Sequence, residues 1–426
     1  MRNGIIVFLF FALPIVLGCT QDETIIISNN GSVVKQLEQW LADPADQRTP
    51  IEEQDFALDS LTAIQADSAI VLLLADKQAS MLNDFEQQWN NRVLSYDGKV
   101  MPFYYQLFGD EPADGRSLFI SMHGGGGAPA SVNDQQWDNQ KHLYDKTMNS
   151  LEGMYLAPRA STNTWNLWHQ GHIDAFFDII IQMAVIKENV NPNRVYIMGY
   201  SAGGDGVYQL APRMADRWAA ASMMAGHPNE TSPIGLKNTP FTLHMGGDDD
   251  SYNRNGIARK WRILLDSLES DAPGTYIHQV QIHEGYGHWM QLQDAIALPW
   301  MQNYIRNPLP ESIVWKQDDV HHKSFYWLGV PEDLIETRGE VRAEYNAQLN
   351  EINIISNYSS RLELFLNDNM LNLDEPITIK YQGEVIYQDL VSRTILSIQK
   401  SISAKGDSKL AFSNILTLVD NEHVVE

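Results

Sequence analysis

The chain has almost no cysteine: a single residue, Cys19, among 426. One thiol cannot form an internal disulfide, so the fold must rest on packing. Positive charge is also scarce. Lys and Arg number 30 against 54 Asp and Glu, giving a formal net charge of −24 at pH 7, which disfavours nucleic acid or an anionic membrane surface as a partner. No apolar run reaches the ~20 residues needed to span a bilayer; an unbroken one covers residues 5–17. Metal-binding spacings are missing as well. His283-Glu284 begins like a zinc helix, but Gly287 stands where the second histidine belongs. No metal or organic cofactor is expected.

What is present at the start of the chain is an address. One basic residue, Arg2, precedes the 5–17 run, and Val16-Leu17-Gly18-Cys19 follows directly. This resembles a bacterial lipoprotein signal, which implies removal of residues 1–18 and lipid attachment at Cys19. Thr20 after the cysteine is similar to an outer-membrane address. The expectation is a protein of the bacterial cell envelope, held to the membrane through Cys19.

Hydrophobic spacing divides the remainder. Residues 19–95 read as a tether and a helical extension, with Leu37, Trp40 and Leu41, then Ile70, Leu73 and Leu74, at helical intervals. Residues 96–308 alternate between strand-like runs (100–107, 117–122, 154–157, 195–198, 241–245, 276–282) and helix-like stretches (173–188, 257–268). That alternation predicts an α/β fold on a mostly parallel, doubly wound sheet. Asn307-Pro308-Leu309-Pro310 reads as a linker. Residues 309–426 carry period-two patterns at 352–354, 362–366 and 377–381, with a helix-like 390–403, and read as a β-rich accessory domain.

One short stretch carries chemistry. Arg194 to Tyr208 reads RVYIMGYSAGGDGVY. Gly-x-Ser-x-Gly alone would occur by chance about one time in seven in a chain this long. Its context narrows it: an apolar strand precedes Ser201 and a helix-like pattern follows, the setting of a nucleophile on a strained turn. A serine needs a base, the base needs an orienting acid, and the developing oxyanion needs N–H donors. His288, in Gly285-Tyr286-Gly287-His288-Trp289, suits the base. The acid belongs among Asp248, Asp249 and Asp250, after the 241–245 strand. Gly124 and Gly125, in the run His123–Gly127, and Ala202 after the nucleophile are the candidate donors. Trp165, Trp168 and Trp289 are candidate pocket aromatics.

The stretches SMHGGGGAP, NPNRVYIMGYSAGGDGVY, MGGDDDSYNR and GYGHW resemble the α/β-hydrolase superfamily, in its branch of secreted feruloyl-esterase and polyhydroxybutyrate-depolymerase-like enzymes. The resemblance covers residues 100–307. In that family the acid usually lies three residues after a glycine, which implies Asp249; Met245 departs from the family's usual His. The resemblance implies a serine esterase acting on a small or polymeric ester through Ser201, His288 and Asp249. Two alternatives remain open at this point: a prolyl-oligopeptidase-like serine peptidase, and a non-catalytic polymer- or glycan-binding surface protein.

Overall fold

The computed structural model describes residues 32–425. The signal segment and Cys19 lie outside the described residues. Among those described, no helix is long and apolar enough to cross a membrane.

An eight-stranded sheet carries the middle of the chain: β1 (Val93–Tyr96), β2 (Lys99–Phe108), β3 (Arg116–Met122), β4 (Gly153–Pro158), β5 (Val190–Tyr200), β6 (Ala220–Met224), β7 (Phe241–Gly246) and β8 (His278–His283). Their order is β1-β2-β4-β3-β5-β6-β7-β8. β1 and β2 run antiparallel to their neighbours, and β3 to β8 pair in parallel. The α/β expectation therefore holds. The central strands are apolar on both faces because both faces are covered. Leu118 and Ile120 of β3 enter a core with Phe176 and Phe177, while Phe119 between them enters a second core with Ala297 and Leu298. β8, HQVQIH, closes the sheet as an edge and is only half-buried.

Nine helices are described: α1 (Ser32–Ala42), α2 (Ala63–Asn90), α3 (Ala130–Gln140), α4 (Asp145–Met148), α5 (Gly171–Glu188), α6 (Ala202–Arg213), α7 (Arg254–Asp271), α8 (Ala297–Met301) and α9 (Ile395–Lys405). α2 starts at a reciprocal cap in which Thr62 and Gln65 satisfy each other's backbone N–H groups. Past the sheet come β9 (Ser312–Lys316), β10 (Ser324–Phe325), β11 (Leu328–Gly329), β12 (Glu340–Asn346), β13 (Glu351–Ser356), β14 (Arg361–Leu366), β15 (Ile377–Tyr381), β16 (Glu384–Asp389), β17 (Asn414–Val419) and β18 (His423–Val425). They form two five-stranded sheets, β10-β11-β14-β17-β18 and β16-β15-β13-β12-β9. One apolar core holds Leu328 and Leu364 from the first and Val341, Ile352 and Ile379 from the second.

The periodicity missed several elements, β6 and β1 among them, and misplaced the start of another. β6 reads Ala-Ala-Ser-Met-Met, with no β-branched residue to announce a strand; it is a strand because β5 and β7 flank it. β1 is short and half exposed. The 390–403 helix begins later, at Ile395, because the Thr394 hydroxyl accepts the Ser397 N–H at 3.2 Å and caps it.

The first and last parts of the chain meet. Leu37 and Leu73 of the N-terminal helices share a core with Ile395, Ile398 and Ile402 of α9. The same region is tied to the central sheet by buried charge. Lys405 bonds Asp216, Arg306 bonds Asp407 at 2.7 Å, and Asp174 receives both Arg213 at 2.9 Å and His322 at 2.7 Å. His322 is thus part of a seam between the sheet and the β-rich region.

Candidate active site

The site begins with the turn between β5 and α6. Ser201 sits at φ 58°, ψ −119°, as the N-cap of α6, a region costly for a residue with a side chain. The turn persists because the backbone closes tightly around it. A Cβ on Gly199 would lie 2.3 Å from the Gly203 carbonyl oxygen, and one on Gly203 would lie 2.1 Å from that of Met122. Both positions of the Gly-x-Ser-x-Gly pattern are therefore steric requirements. The Ser201 N–H donates to Met224 O at 2.9 Å, fixing the turn to β6. This strand order, with a sharp strand-to-helix turn at Ser201 after β5, is that of the α/β-hydrolase fold.

Two loops converge on Ser201 from the C-terminal ends of later strands. His288 Nε2 lies 2.9 Å from Ser201 Oγ, and His288 Nδ1 lies 2.7 Å from Asp249 Oδ2. Of the three aspartates, only Asp249 is buried; Asp248 and Asp250 are exposed. The acid loop is held by Asn255, whose N–H donates to Asp249 O at 3.0 Å and whose side-chain amide donates to Gly247 O at 2.8 Å.

The glycine run after β3 lies against the elbow. Gly124 is so close that a Cβ on it would sit 3.2 Å from the Ser201 Cβ, and Gly125, at φ 112°, lines a cavity with Ser201. Ala202 borders Ser201 on its other side. His123 shapes this run from beneath. Burial pushes its imidazole down to about 4, so it is neutral near pH 7. Its Nε2 accepts the Ala160 N–H at 3.2 Å; its Nδ1 then carries the hydrogen and donates to Gly124 O at 2.6 Å.

Of the three tryptophans, Trp289 and Trp165 are at the site. Trp289 is half exposed and lines a cavity of about 820 Å³ together with Ser201, His288 and Leu143. Trp165 lines a second cavity of about 420 Å³ with Ser201, Ala202 and Arg254. Trp168 is not a pocket residue. It is fully buried, and its indole N–H donates to His123 O at 2.9 Å. A tryptophan with a satisfied N–H and no exposed face is a core residue, and its role is to brace the glycine run.

Three further residues were not singled out in the sequence. Tyr200, next to the nucleophile, donates its hydroxyl to His288 O at 2.6 Å and accepts the Met290 N–H at 3.0 Å, holding the histidine loop. Asn133 of α3 clamps the glycine run, accepting the Gly126 N–H at 2.9 Å and donating to Gly126 O at 3.1 Å. Arg254, at the start of α7, has its guanidinium 3.6 Å from Asp249 Oδ1. Tyr200 had a signal, its place beside the serine; the other two touch the site only through tertiary structure.

No family model and no curated protein matches the chain. Among solved structures it is similar to a thermostable esterase (17% identity, TM-score 0.39), covering 51% of this chain and 64% of that one. A ferulic acid esterase (16% identity, TM-score 0.36) is covered over 96% of its length by 50% of this chain. A putative dipeptidyl aminopeptidase IV from Bacteroides ovatus (14% identity, TM-score 0.37) is covered over 34% by 50% of this chain. The fold assignment rests on the strand order and the elbow, not on these likenesses.

Proposed function

We propose that the protein is a serine esterase that cleaves carboxylic esters through an acyl-enzyme. The observation that carries this reading is the continuous chain Ser201 Oγ–His288 Nε2–Nδ1–Asp249 Oδ2, at 2.9 and 2.7 Å, mounted on a strained elbow. His288 removes the Ser201 proton as Oγ attacks the ester carbon, and Asp249 holds the imidazole and stabilises the imidazolium. The tetrahedral oxyanion is received by the Ala202 N–H and by an N–H of Gly124 or Gly125. His288 then protonates the departing alkoxide, leaving the acyl group on Ser201. Water, deprotonated by the same imidazole, releases the acid. No step calls for a metal or organic cofactor.

Ester cleavage makes the lesser demand on His288. An amine must be protonated as it departs, whereas a phenolate or alkoxide needs less help. A short p-nitrophenyl ester should be hydrolysed in a Ser201-dependent manner and matched aminoacyl p-nitroanilides far more slowly. A kcat/KM for the anilide equal to that for the ester replaces this reading with a peptidase using the same three residues. We also propose that the mature chain is tethered to the bacterial envelope by lipid on Cys19. Radiolabelled palmitate should enter the wild type in a bacterial host and not Cys19→Ser; equal labelling of both excludes the anchor.

A further inference from the structure

The two cavities that meet at Ser201 differ in what they offer. His288 borders the larger and not the smaller. The leaving-group oxygen must come within reach of His288 Nε2 to be protonated, so the alcohol belongs in the larger cavity. The acyl chain then enters the smaller one, which Ala202, Trp165 and Tyr252 line. Both rings are open to solvent, at 62% and 79% exposure. Tyr252 is also held at φ 55°, a costly conformation for an aromatic residue.

Arg254 lines the same cavity. Its side chain is only 14% exposed, and a guanidinium so enclosed is ordinarily matched by hydrogen bonds to a carboxylate. This one is not. Its Nε is sealed from solvent without a hydrogen-bond partner, and Asp249 Oδ1 is 3.6 Å away, too far for a direct bond. Asp249 is already engaged by His288 and is further matched whenever His288 carries a proton. The remaining side of the guanidinium lies 4.9 Å from the centre of the Tyr252 ring. Asp205 shares the cavity and feels the charge of Arg254, although burial outweighs it and raises the carboxyl to about 6; one of its oxygens is committed to the His227 N–H at 2.6 Å.

We propose that the smaller cavity is an acyl subsite for acids that carry a second, terminal carboxylate, with Arg254 as the residue that selects them. This rests on the esterase reading and names its substrate class: half-esters of dicarboxylic acids, with an aliphatic or aromatic spacer in the cavity that Trp165 and Tyr252 line. Arg254 gives the distal carboxylate charge-assisted donors, and in a chain of net charge −24 a selected anion needs such a local cation.

The test compares esters that differ only in that carboxylate: p-nitrophenyl pentanoate and hexanoate against the mono-p-nitrophenyl esters of glutarate and adipate, corrected for uncatalysed hydrolysis. The wild type should favour the anionic esters in kcat/KM by at least about tenfold, roughly the value of one charge-assisted contact, and added salt should erode the preference. Arg254→Met should abolish the preference and Arg254→Lys retain part of it. The ratio is read because loss of Arg254 beside Asp249 will slow both ester classes together. Equal or better turnover of the neutral esters by the wild type, or an unchanged ratio in Arg254→Met, overturns the subsite. If no ester is cleaved, the esterase reading itself fails, and calorimetry decides the subsite alone. Glutarate should bind the wild type and pentanoate should not; glutarate binding that is absent, or that persists in Arg254→Met, overturns it.

Discussion

The catalytic face of the sheet and the seam with the β-rich region handle buried charge in opposite ways. At the seam each cation is closely met: Lys405 by Asp216, Arg217 by Asp178 at 2.8 Å, Arg306 by Asp407 at 2.7 Å, and Arg213 by Asp174. At the catalytic face Arg254 is left with Asp249 at 3.6 Å, Ser201 is held on a strained turn, and two large aromatic rings stand in solvent. Closely paired charge marks where the molecule is built to stay together; the looser contact of Arg254 marks where we propose a substrate carboxylate is received. Removing one member of a buried pair strands its partner at a cost of about 3–5 kcal/mol. Removing an active-site group should cost rate and leave stability nearly intact.

The sharpest contrast comes from the nucleophile. Ser201→Ala should lower kcat by about 10⁶-fold, as loss of a triad serine does elsewhere, with an unchanged denaturation midpoint. An Asp249→Asn change should follow at about 10⁴-fold in kcat. Asp248→Asn and Asp250→Asn, both exposed, should stay within about twofold, the range of a surface change of ~0.5 kcal/mol. A collapse at Asp248 instead would place the acid in the wrong frame.

The seam should behave in reverse. Lys405→Met leaves Asp216 buried without its cation and should destabilise by about 3–5 kcal/mol in urea unfolding, while ester turnover below the transition stays near that of the wild type. Replacing both partners, as Asp216→Leu with Lys405→Met, should recover most of the loss. A chain ended near residue 307 would expose Asp216, Arg306 and Asp174 together, so it should fail to fold rather than persist as an independent catalytic domain. A soluble, cooperatively unfolding truncation would break the comparison.

The smallest effect is in acid. Although burial alone would raise it, Lys405 and Arg217 hold the Asp216 carboxyl down at about 2, below the ordinary aspartate value of 3.8. A depressed acid contributes stability that is fully present above its unfolded value and fades as pH falls toward its folded one. Stability should therefore decline between about pH 4 and pH 2, and the decline should be shallower in the Asp216→Leu/Lys405→Met protein.

These two regions were also unequally legible in sequence. The β3, β5 and β7 runs announce themselves because strands covered on both faces are almost wholly apolar, and the elbow because its glycines are sterically obligatory. Asp249 was reachable only through a resemblance, since three adjacent aspartates look alike until burial separates them. The seam left no local trace: Asp216 and Lys405 are 189 positions apart, and no periodicity links them. Arg254 stood in view, five residues past Asp249, but a missing partner is a property of three-dimensional packing. Trp168 was misplaced because composition does not say which face of a loop a ring turns toward.

The central claim is that Ser201 is a nucleophile activated by His288 and oriented through Asp249. Intact-protein mass spectrometry after exposure to diisopropyl fluorophosphate tests it most directly, because the reagent captures an activated serine without requiring the natural substrate. The wild type should gain one diisopropylphosphoryl group, mapped by fragmentation to Ser201, with Ser201→Ala gaining none and His288→Ala reacting far more slowly. A wild-type protein that stays unmodified, or one labelled at another residue, would contradict it.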